Sequence, residues 1–219
     1  MITFKIIAII LAKKNSIRLP NKHLLRLGKK KIIEYTFRSV QQSKYLNFAV
    51  CFTDSLKIKK LTKKYSKISC PIVRPKHLSL ENTSTEETME YLIKQLRRKK
   101  ILFENIILLQ PTSPFRTTKD IDNSIKKYYK NNSKSLISVK KFKKHLYKLD
   151  KDEAIAQNET SFVRDGAIFI FKTKNFLKTK KITLKKNNIV KLKKKNSLDI
   201  DSQKDFNLAK KIIKNDKKK

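Results

Sequence analysis

Cysteine, glycine and acidic residues are scarce in this 219-residue sequence, which also lacks tryptophan. The two cysteines, Cys51 and Cys70, have no C-x-x-C spacing, which excludes a disulfide framework and a cysteine-based zinc site. We expect both in the core, because each has apolar neighbours. The apolar run at residues 4–12 is short and is not followed by a small-residue cleavage site. We therefore expect a buried first strand and a cytoplasmic protein with no secretion signal or membrane span.

Positive charge dominates the sequence: 55 Lys and Arg residues stand against 18 Asp and Glu residues, for a net charge of +37. Such a balance is typical of proteins with a polyanionic partner. Most of these basic residues are lysines, however, and they are scattered through every segment instead of gathering on one face or arm. With only two glycines, the chain fits compositional drift better than a nucleic-acid surface. We therefore do not expect nucleic-acid binding, although the charge would attract a nucleoside triphosphate.

Buried apolar runs alternate along the chain with helical repeats. Strands are predicted at residues 4–12, 48–52, 71–74 and 106–109, each followed by a helix, at residues 32–45, 56–65, 85–98 and 119–130. Further strands are predicted at 134–139, 167–171 and 188–192, before a final helix at 203–213. The alternation predicts a three-layer α/β fold around a mostly parallel sheet. The length favours a single domain over residues 1–219.

The most informative stretch is N-I-I-L-L-Q-P-T-S-P-F-R at residues 105–116, which predicts a central strand and the loop after it. Its four apolar residues are typical of a strand buried on both faces, and Pro111 and Pro114 end that strand in a stiff loop. The carboxyl ends of such strands are where open α/β sheets bind ligands. The loop is predicted to display Gln110, Thr112, Ser113 and Arg116 there. The alternative is an ordinary proline turn before a helix.

A basic loop, K-K-N-S-I-R-L-P-N-K-H at residues 13–23, follows the first strand. Its cations and hydroxyl are suited to a phosphate cradle. The candidate phosphate ligands are Lys13, Lys14, Asn15, Ser16, Arg18 and Lys22. The alternative is a solvated loop in a chain full of lysines.

Asp199 and Asp201 are the most informative carboxylates in so basic a chain. Residues two apart in an extended segment point the same way, so both carboxylates can converge on one hard cation. Mg²⁺ is usually held by one or two carboxylates together with substrate phosphates. The alternative is structural, with Asp201 as the N-cap of the final helix and Asp205 in its first turn.

Residues 140–163 show no clear period and precede Asp165, Gly166 and a strong predicted strand. We interpret this segment as an excursion from the main sheet, in the form of a hairpin arm. Long irregular insertions often serve function or association.

The chain resembles the CMP-N-acetylneuraminate synthetases, or acylneuraminate cytidylyltransferases, over nearly its whole length. A-K-K-N-S-I-R-L-P-N-K-H (12–23) is similar to the family loop A-R-x-x-S-x-R-x-P-x-K-N, and L-L-Q-P-T-S-P-F-R (108–116) is close to the family signature. D-G-A-I-F-I (165–170) resembles N-G-A-I-Y-I, and D-I-D-x-x-x-D-F (199–206) matches the metal-binding tail. T-D (53–54) and R-P (74–75) stand at the expected places.

The resemblance implies a Rossmann-like nucleotidyltransferase that joins a nonulosonic acid, a nine-carbon α-keto acid sugar, to CTP with Mg²⁺, giving the CMP-sugar and pyrophosphate. It implies a homodimer, with residues 140–170 as the dimerisation element. The implied triphosphate ligands are Lys13, Ser16, Arg18 and Lys22, and the implied nucleotide ligands are His23 and Arg74. The implied sugar ligands are Gln110, Thr112, Ser113 and Asp165, and Asp199 and Asp201 would hold Mg²⁺. Lys13, Lys22 and Asp201 are the implied catalytic residues.

Several residues depart from the family pattern. Lys13 replaces an Arg. A planar guanidinium that can bind phosphate in a bidentate manner is therefore replaced by a point charge. His23 replaces an Asn that reads the nucleotide, and Asp165 also replaces an Asn. N-acetylneuraminate, legionaminate and pseudaminate remain open as substrates. The alternatives are a nucleotidyltransferase for another sugar or nucleotide, such as the eight-carbon keto-deoxy sugar, and a basic nucleic-acid-binding module.

Overall fold

The computed structural model describes residues 1–142, 146–150, 153–157 and 161–216. Its strands are β1 (Ile2–Leu11), β2 (Arg26–Leu27), β3 (Lys30–Lys31), β4 (Ala49–Phe52), β5 (Ile68–Ser69), β6 (Ile101–Leu109), β7 (Ser135–Phe142), β8 (Leu146–Asp150), β9 (Glu153–Gln157), β10 (Ser161–Lys172) and β11 (Asn188–Lys191). Its α-helices are α1 (Ile32–Gln42), α2 (Leu56–Thr62), α3 (Thr85–Arg98), α4 (Thr118–Lys130), α5 (Thr173–Thr179) and α6 (Gln203–Asp216).

The main sheet in the described part of the chain has seven strands in the order β11-β7-β10-β6-β1-β4-β5. β1 pairs in parallel with both β4 and β6, and β4 pairs in parallel with β5. β10 is antiparallel to both of its neighbours, β6 and β7. The prediction of a mostly parallel, three-layer α/β sheet is therefore confirmed.

Alternation along β1 shows how the sequence builds two cores. Ile6, Ala8 and Ile10 pack in one cluster with apolar residues of α1, α2 and α4. Ile7 and Ile9 point to the other face and pack with residues of α3 and α5. Because both faces of the central strands are covered, these strands are continuous apolar runs.

A third apolar cluster joins the C-terminal helix to the basic loop. Phe206 and Ala209 of α6 pack with Leu19 of the loop, Phe115 and Ile200. The cluster fixes the tail at residues 198–201 beside the loop at residues 13–23. Two distant segments are thus held against the same edge of the sheet.

The predicted strand at residues 71–74 is wrong in its bounds. β5 ends at Ser69, and farther along only Val73 pairs, through an isolated bridge to Thr53. Pro71 has no amide hydrogen to give the ladder, which explains why regular pairing stops before it. The bridge nevertheless brings the next residue, Arg74, to the carboxyl end of β4, where its N–H donates to the Thr53 carbonyl at 3.0 Å.

The predicted excursion follows β7. β8 and β9 pair antiparallel in a separate two-stranded sheet, and β10 then returns antiparallel along β7. Residues 143–145, 151–152 and 158–160, within the predicted dimerisation element 140–170, lie outside the described residues. None of the helices in the described part of the chain is both long and apolar enough to cross a bilayer.

Candidate active site

A cavity of about 320 Å³ opens at the carboxyl ends of β1 and β6. Its walls carry cations, carboxylates and hydroxyls together. They are formed by Leu11, Lys13, Lys22, His23, Arg74, Thr83, Ser84, Thr85, Thr88, Leu108, Gln110, Pro111, Thr112, Asp199 and Asp201. Eight of the predicted site residues therefore line one cavity: Lys13, Lys22, His23, Arg74, Gln110, Thr112, Asp199 and Asp201.

The basic loop is held at both ends. The backbone N–H of Lys14 donates to Asp54 Oδ1 at 2.6 Å, and the buried side chain of Leu19 anchors the loop in the third apolar cluster. A short 3₁₀ turn at Lys22–Leu24 then directs Lys22 and His23 into the cavity. Lys13 also faces the cavity, and its Nζ lies 3.4 Å from the Leu80 carbonyl oxygen.

Four other candidate phosphate ligands of the loop, Lys14, Asn15, Ser16 and Arg18, lie outside the cavity wall. Lys14 and Asn15 are exposed. Ser16 is half-buried, and Arg18 is exposed, with 71% of its side chain accessible. The guanidinium of Arg18 nevertheless reaches back to Asp201, with Nη2 3.0 Å from Oδ2. Arg18 therefore stands at the rim of the cavity.

The side chains at residues 199–201 alternate between the cavity and the core, as the pattern predicts. The N–H of Ile200 donates to the Thr112 carbonyl at 2.8 Å, and its side chain is fully buried in the third cluster. Asp199 and Asp201, on either side, both face the cavity. Their carboxylates thus converge as residues two apart in an extended segment must.

The two carboxylates have opposite environments. Burial raises the pKa of Asp199, a shift opposed by a hydrogen bond from Thr112 and reinforced by the charge of Asp201. Burial also works to raise the pKa of Asp201, but the hydrogen bond and charge of Lys22, together with Arg18, lower it overall. Lys22 Nζ lies 2.7 Å from Asp201 Oδ1. Asp201 is therefore an ion-paired carboxylate, whereas Asp199 is a buried one.

The alternative interpretation of Asp201 as a helix cap is wrong. Ser202 takes that place: its Oγ accepts from the Asp205 N–H at 3.3 Å, and Asp205 Oδ2 accepts from the Ser202 N–H at 2.8 Å. This reciprocal pair is a capping box that satisfies the first turn of α6. The carboxylate of Asp201 is thereby left to face the cavity.

His23 is buried in the wall between cations. Burial lowers its pKa to about 3, and the charges of Lys22 and Arg74 act in the same direction. Its Nδ1 is buried and has no hydrogen-bond partner among the described residues. The imidazole is therefore neutral at physiological pH and keeps one ring nitrogen available.

Arg74 is 7% exposed and also lines the cavity. Its Nε donates to the Leu78 carbonyl at 3.0 Å, and its Nη2 donates to Thr88 Oγ1 at 3.3 Å. The guanidinium also lies 6.0 Å from the centroid of the Phe52 ring. These contacts fix a cation with a defined orientation in the wall.

One wall of the cavity consists of hydroxyls that were not predicted as site residues. Thr83, Ser84, Thr85 and Thr88 line the cavity around the first turn of α3, where Ser84 Oγ accepts from the Glu87 N–H. The sequence predicted a helix from residue 85 but not that its start lines the cavity. The usable signal was the run N-T-S-T that follows Arg74 and precedes a helix, because helix amino termini at a sheet's carboxyl edge attract polar ligands.

The proline loop after β6 divides between the cavity and the core. Gln110 and Thr112 line the cavity, whereas Ser113 is fully buried and Arg116 is 1% exposed. Arg116 Nη1 donates to the carbonyls of Gln110 (3.0 Å) and Ala167 (2.8 Å). The expectation that Arg116 is displayed for ligands is therefore wrong, because its guanidinium satisfies backbone carbonyls where β6 and β10 meet.

Asp165 lies behind the wall instead of in it. It is 6% exposed, and its Oδ1 accepts from the Ala167 N–H at 3.0 Å and from the Ser138 hydroxyl. These bonds stabilise the irregular stretch of β10 before Ala167. The next residue, Gly166, packs directly against the side chain of Gln110. Asp165 is thus placed to position Gln110 through the backbone.

The donor set for a divalent cation is small. The described residues contain no group of three or more His, Cys, Asp or Glu side chains able to hold a metal ion. Two carboxylates suit Mg²⁺ only when substrate phosphates complete its coordination. Asp199 Oδ1 is buried and has no hydrogen-bond partner in the described part of the chain, so it is an acceptor that a cation would satisfy.

Comparison with known proteins gives a consistent result. A family described as Cytidylyltransferase matches residues 7–218. The chain is 29% identical to the N-acylneuraminate cytidylyltransferase of Escherichia coli over 94% of its own length and 51% of that protein's. It is 32% identical to the CMP-N,N'-diacetyllegionaminic acid synthase of Legionella pneumophila over 62% of its own length and 57% of that protein's. The chain thus spans about half the length of these two relatives.

The fold is also found among solved structures. The chain superposes on 4-diphosphocytidyl-2C-methyl-D-erythritol synthase from Anaerococcus prevotii with a TM-score of 0.72 and 17% identity. The match covers 95% of this chain and 96% of that one. At this identity the likeness shows that the two chains share an architecture.

Proposed function

The chain belongs to the cytidylyltransferase family, and from this premise we propose that it transfers CMP from CTP to a nonulosonic acid. One observation carries the proposal: Lys13, Lys22, Asp199 and Asp201, drawn from opposite ends of the chain, face one cavity at the carboxyl edge of the sheet. Cations beside carboxylates suit a triphosphate accompanied by a divalent cation.

In the proposed reaction, the anomeric hydroxyl oxygen of the sugar bonds to the α-phosphorus of CTP. The bond from that phosphorus to the bridging oxygen of the β-phosphate breaks, pyrophosphate leaves with the electron pair, and the hydroxyl proton is released. Such chemistry depends mainly on positioning and on neutralising the charge of the leaving group. Lys13 and Lys22 would neutralise that charge from the cavity wall, and Arg18 and Ser16 would complete the contacts from the rim.

Asp199 and Asp201 would hold Mg²⁺, which supplies charge neutralisation on the phosphates when it is bound. The cavity wall carries these two carboxylates together with Lys13 and Lys22, and Lys22 Nζ lies 2.7 Å from Asp201 Oδ1. The arrangement would bring the triphosphate and the divalent cation together at one place in the wall.

The nucleoside would lie along the wall of His23, Arg74 and the hydroxyls at the start of α3. A neutral His23 adds no charge there, so it can exchange hydrogen bonds with an uncharged base. Gln110 and Thr112 would contact the sugar at the end of β6, with Ser113 and Asp165 supporting them from behind.

The sugar would be a sialic-type acid. The two relatives above are named for neuraminic and legionaminic acids, and pseudaminate belongs to the same chemical class. The protein would be incubated with CTP, Mg²⁺ and each of the three acids, and the products identified by mass spectrometry. A CMP-sugar from at least one acid would support the proposal, and CTP left intact with all three would refute it.

Assembly as a homodimer through residues 140–170 also remains a proposal. It draws support from the antiparallel pair β8–β9, which is separate from the main sheet. We further propose a cytoplasmic location, where CTP is made. Sedimentation of the full chain, compared with a chain in which residues 143–160 are replaced by a short Gly-Ser linker, would test the dimer: the shortened chain should be monomeric.

A further inference from the structure

The carboxylate of Asp201 is fully engaged by the basic loop. Lys22 Nζ lies 2.7 Å from Oδ1, and Arg18 Nη2 lies 3.0 Å from Oδ2. The loop and the tail are 179 and 183 residues apart in sequence at these two contacts. Two of the three cations assigned to the triphosphate thus already hold an anion, and that anion is the carboxylate assigned to the metal.

We propose that Asp201 acts as an internal placeholder for the triphosphate. In the free protein its carboxylate occupies Lys22 and Arg18 and holds them at the cavity. When nucleotide and divalent cation bind, the partners exchange: the phosphates take the two cations, and the divalent cation takes Asp201. This inference rests on the proposed function and adds to it a coupling between its two ligands.

The coupling follows from the charges. A triphosphate that binds alone must draw Lys22 and Arg18 away from Asp201, leaving a carboxylate that is only 35% accessible beside new negative charge. A divalent cation that binds alone must approach Asp201 against two positive charges 2.7 and 3.0 Å from its oxygens. Each ligand removes the obstacle to the other, so each raises the other's affinity by the same factor.

The two pairs do not contribute equally. The Lys22 side chain is 14% accessible, whereas that of Arg18 is 71% accessible. An exposed ion pair is strongly screened and contributes little, so the Lys22 pair carries most of the effect. Lys22 is also the member of the pair that lines the cavity.

The decisive measurement is CTP binding without metal. Isothermal titration in EDTA would compare the wild-type chain, Asp201→Asn and Asp54→Asn. Asp54 lies at the same edge of the sheet and its Oδ1 accepts from the Lys14 N–H at 2.6 Å, so the control removes one negative charge without freeing Lys22 or Arg18. Asp201→Asn should bind CTP about 5- to 10-fold more tightly than wild type, a coupling of ordinary size, and Asp54→Asn about twofold at most.

A second measurement uses metal binding instead of nucleotide binding, so the proposal can still be tested if Asp201→Asn is unstable. Lys22→Met should tighten the binding of Mn²⁺ to the nucleotide-free protein about 3- to 10-fold, measured by electron paramagnetic resonance. The matched control, Lys14→Met, removes the same charge from the same loop and should change Mn²⁺ binding little.

The outcomes separate the inference from the proposed function. Wild-type binding of CTP with Mg²⁺, together with unchanged or weaker metal-free binding by folded Asp201→Asn, would overturn the placeholder role alone. Failure of the wild-type chain to bind CTP with Mg²⁺ would overturn both. Tightening in Asp201→Asn and Lys22→Met beyond their controls would establish the exchange.

Discussion

Gly166 and the side chain of Gln110 are in direct contact: a Cβ built on Gly166 would lie 2.8 Å from Gln110 Oε1. Gly166 also has φ +81°, a backbone conformation that side chains with a Cβ rarely adopt. Gln110 lines the cavity, and the antiparallel strand β10 brings Gly166 against its side chain. Gly166 therefore leaves the space that the Gln110 amide occupies.

Gly166→Ala should therefore displace the Gln110 amide and weaken contact with the sugar. We expect the KM for the acceptor sugar to rise about tenfold, equivalent to about 1.4 kcal/mol, with little change in the KM for CTP. Steady-state kinetics with each substrate varied would show it. Gly28→Ala is the control, because Gly28 also has positive φ, +63°, but contacts Ile213 and Tyr35 instead of the cavity. Equal effects on both KM values would point to general destabilisation.

Asp201→Asn and Asp199→Asn should each lower turnover with Mg²⁺ by about 100-fold or more, since a divalent cation on the phosphates supplies several kcal/mol. Asp216→Asn, which breaks an exposed pair with Lys195 far along α6, should leave turnover unchanged. Rates at saturating CTP, with folding checked by circular dichroism, would test this. Normal turnover by folded Asp201→Asn would show that the carboxylate does not hold the metal.

Lys13→Arg should raise kcat/KM for CTP about 3- to 10-fold, because a planar guanidinium can contact two phosphate oxygens where an ammonium contacts them as a point charge. Lys13→Ala should lose far more, since charge developing on the leaving pyrophosphate would be unpaired. Lys14→Arg serves as the control, because the Lys14 side chain is exposed and only its backbone N–H contacts Asp54. If neither change at Lys13 altered kcat/KM, the phosphate role would pass to Arg18 and Lys22.

His23 makes stability depend on pH. Its pKa falls from 6.5 to about 3 on folding, so between these values the unfolded chain binds the additional proton. The contribution to stability is complete above pH 6.5 and is lost as pH falls towards 3. Between pH 7 and 5, wild type should lose about 2 kcal/mol more of its free energy of unfolding than His23→Asn does. Parallel losses in urea denaturation would contradict the assignment.

Arg116→Met should destabilise the fold by about 2–4 kcal/mol, because buried carbonyls of Gln110 and Ala167 would lose their donor. Arg38→Met, at an exposed position on α1, should change the free energy of unfolding by no more than about 0.5 kcal/mol. Urea denaturation of both variants would measure the difference. A small effect at Arg116 would mean that the loop relaxes to satisfy these carbonyls.

Local residue patterns predicted those features that depend only on short segments of the chain. The apolar run of β6, the helix at 85–98 and the alternation of Asp199, Ile200 and Asp201 each follow from residue spacing, and the structure has all three. The sequence could not show that Arg116 turns inward, because its acceptors are carbonyls on segments up to 51 residues away. Likewise the pairing of Asp201 with Lys22 depends on α6 packing against the basic loop, which is a tertiary event.

Two features of the site depend on how distant segments pack, and local residue patterns did not predict them. Thr83, Ser84 and Thr85 stand at the start of the helix predicted at 85–98, but the sequence could not show that this start lines the same cavity as the basic loop. The sequence also did not predict that β10 is antiparallel, because a continuous apolar run such as A-I-F-I is compatible with a strand in either direction. Residue patterns fix elements, and contacts between distant elements fix the site.

The proposed function is tested most directly by pyrophosphate release from CTP and from UTP, each with Mg²⁺, in the presence of N-acetylneuraminate, legionaminate or pseudaminate. We expect release that requires one of these acids and that is faster with CTP than with UTP. Release that is absent with all three acids, or equal for the two nucleotides, would contradict it.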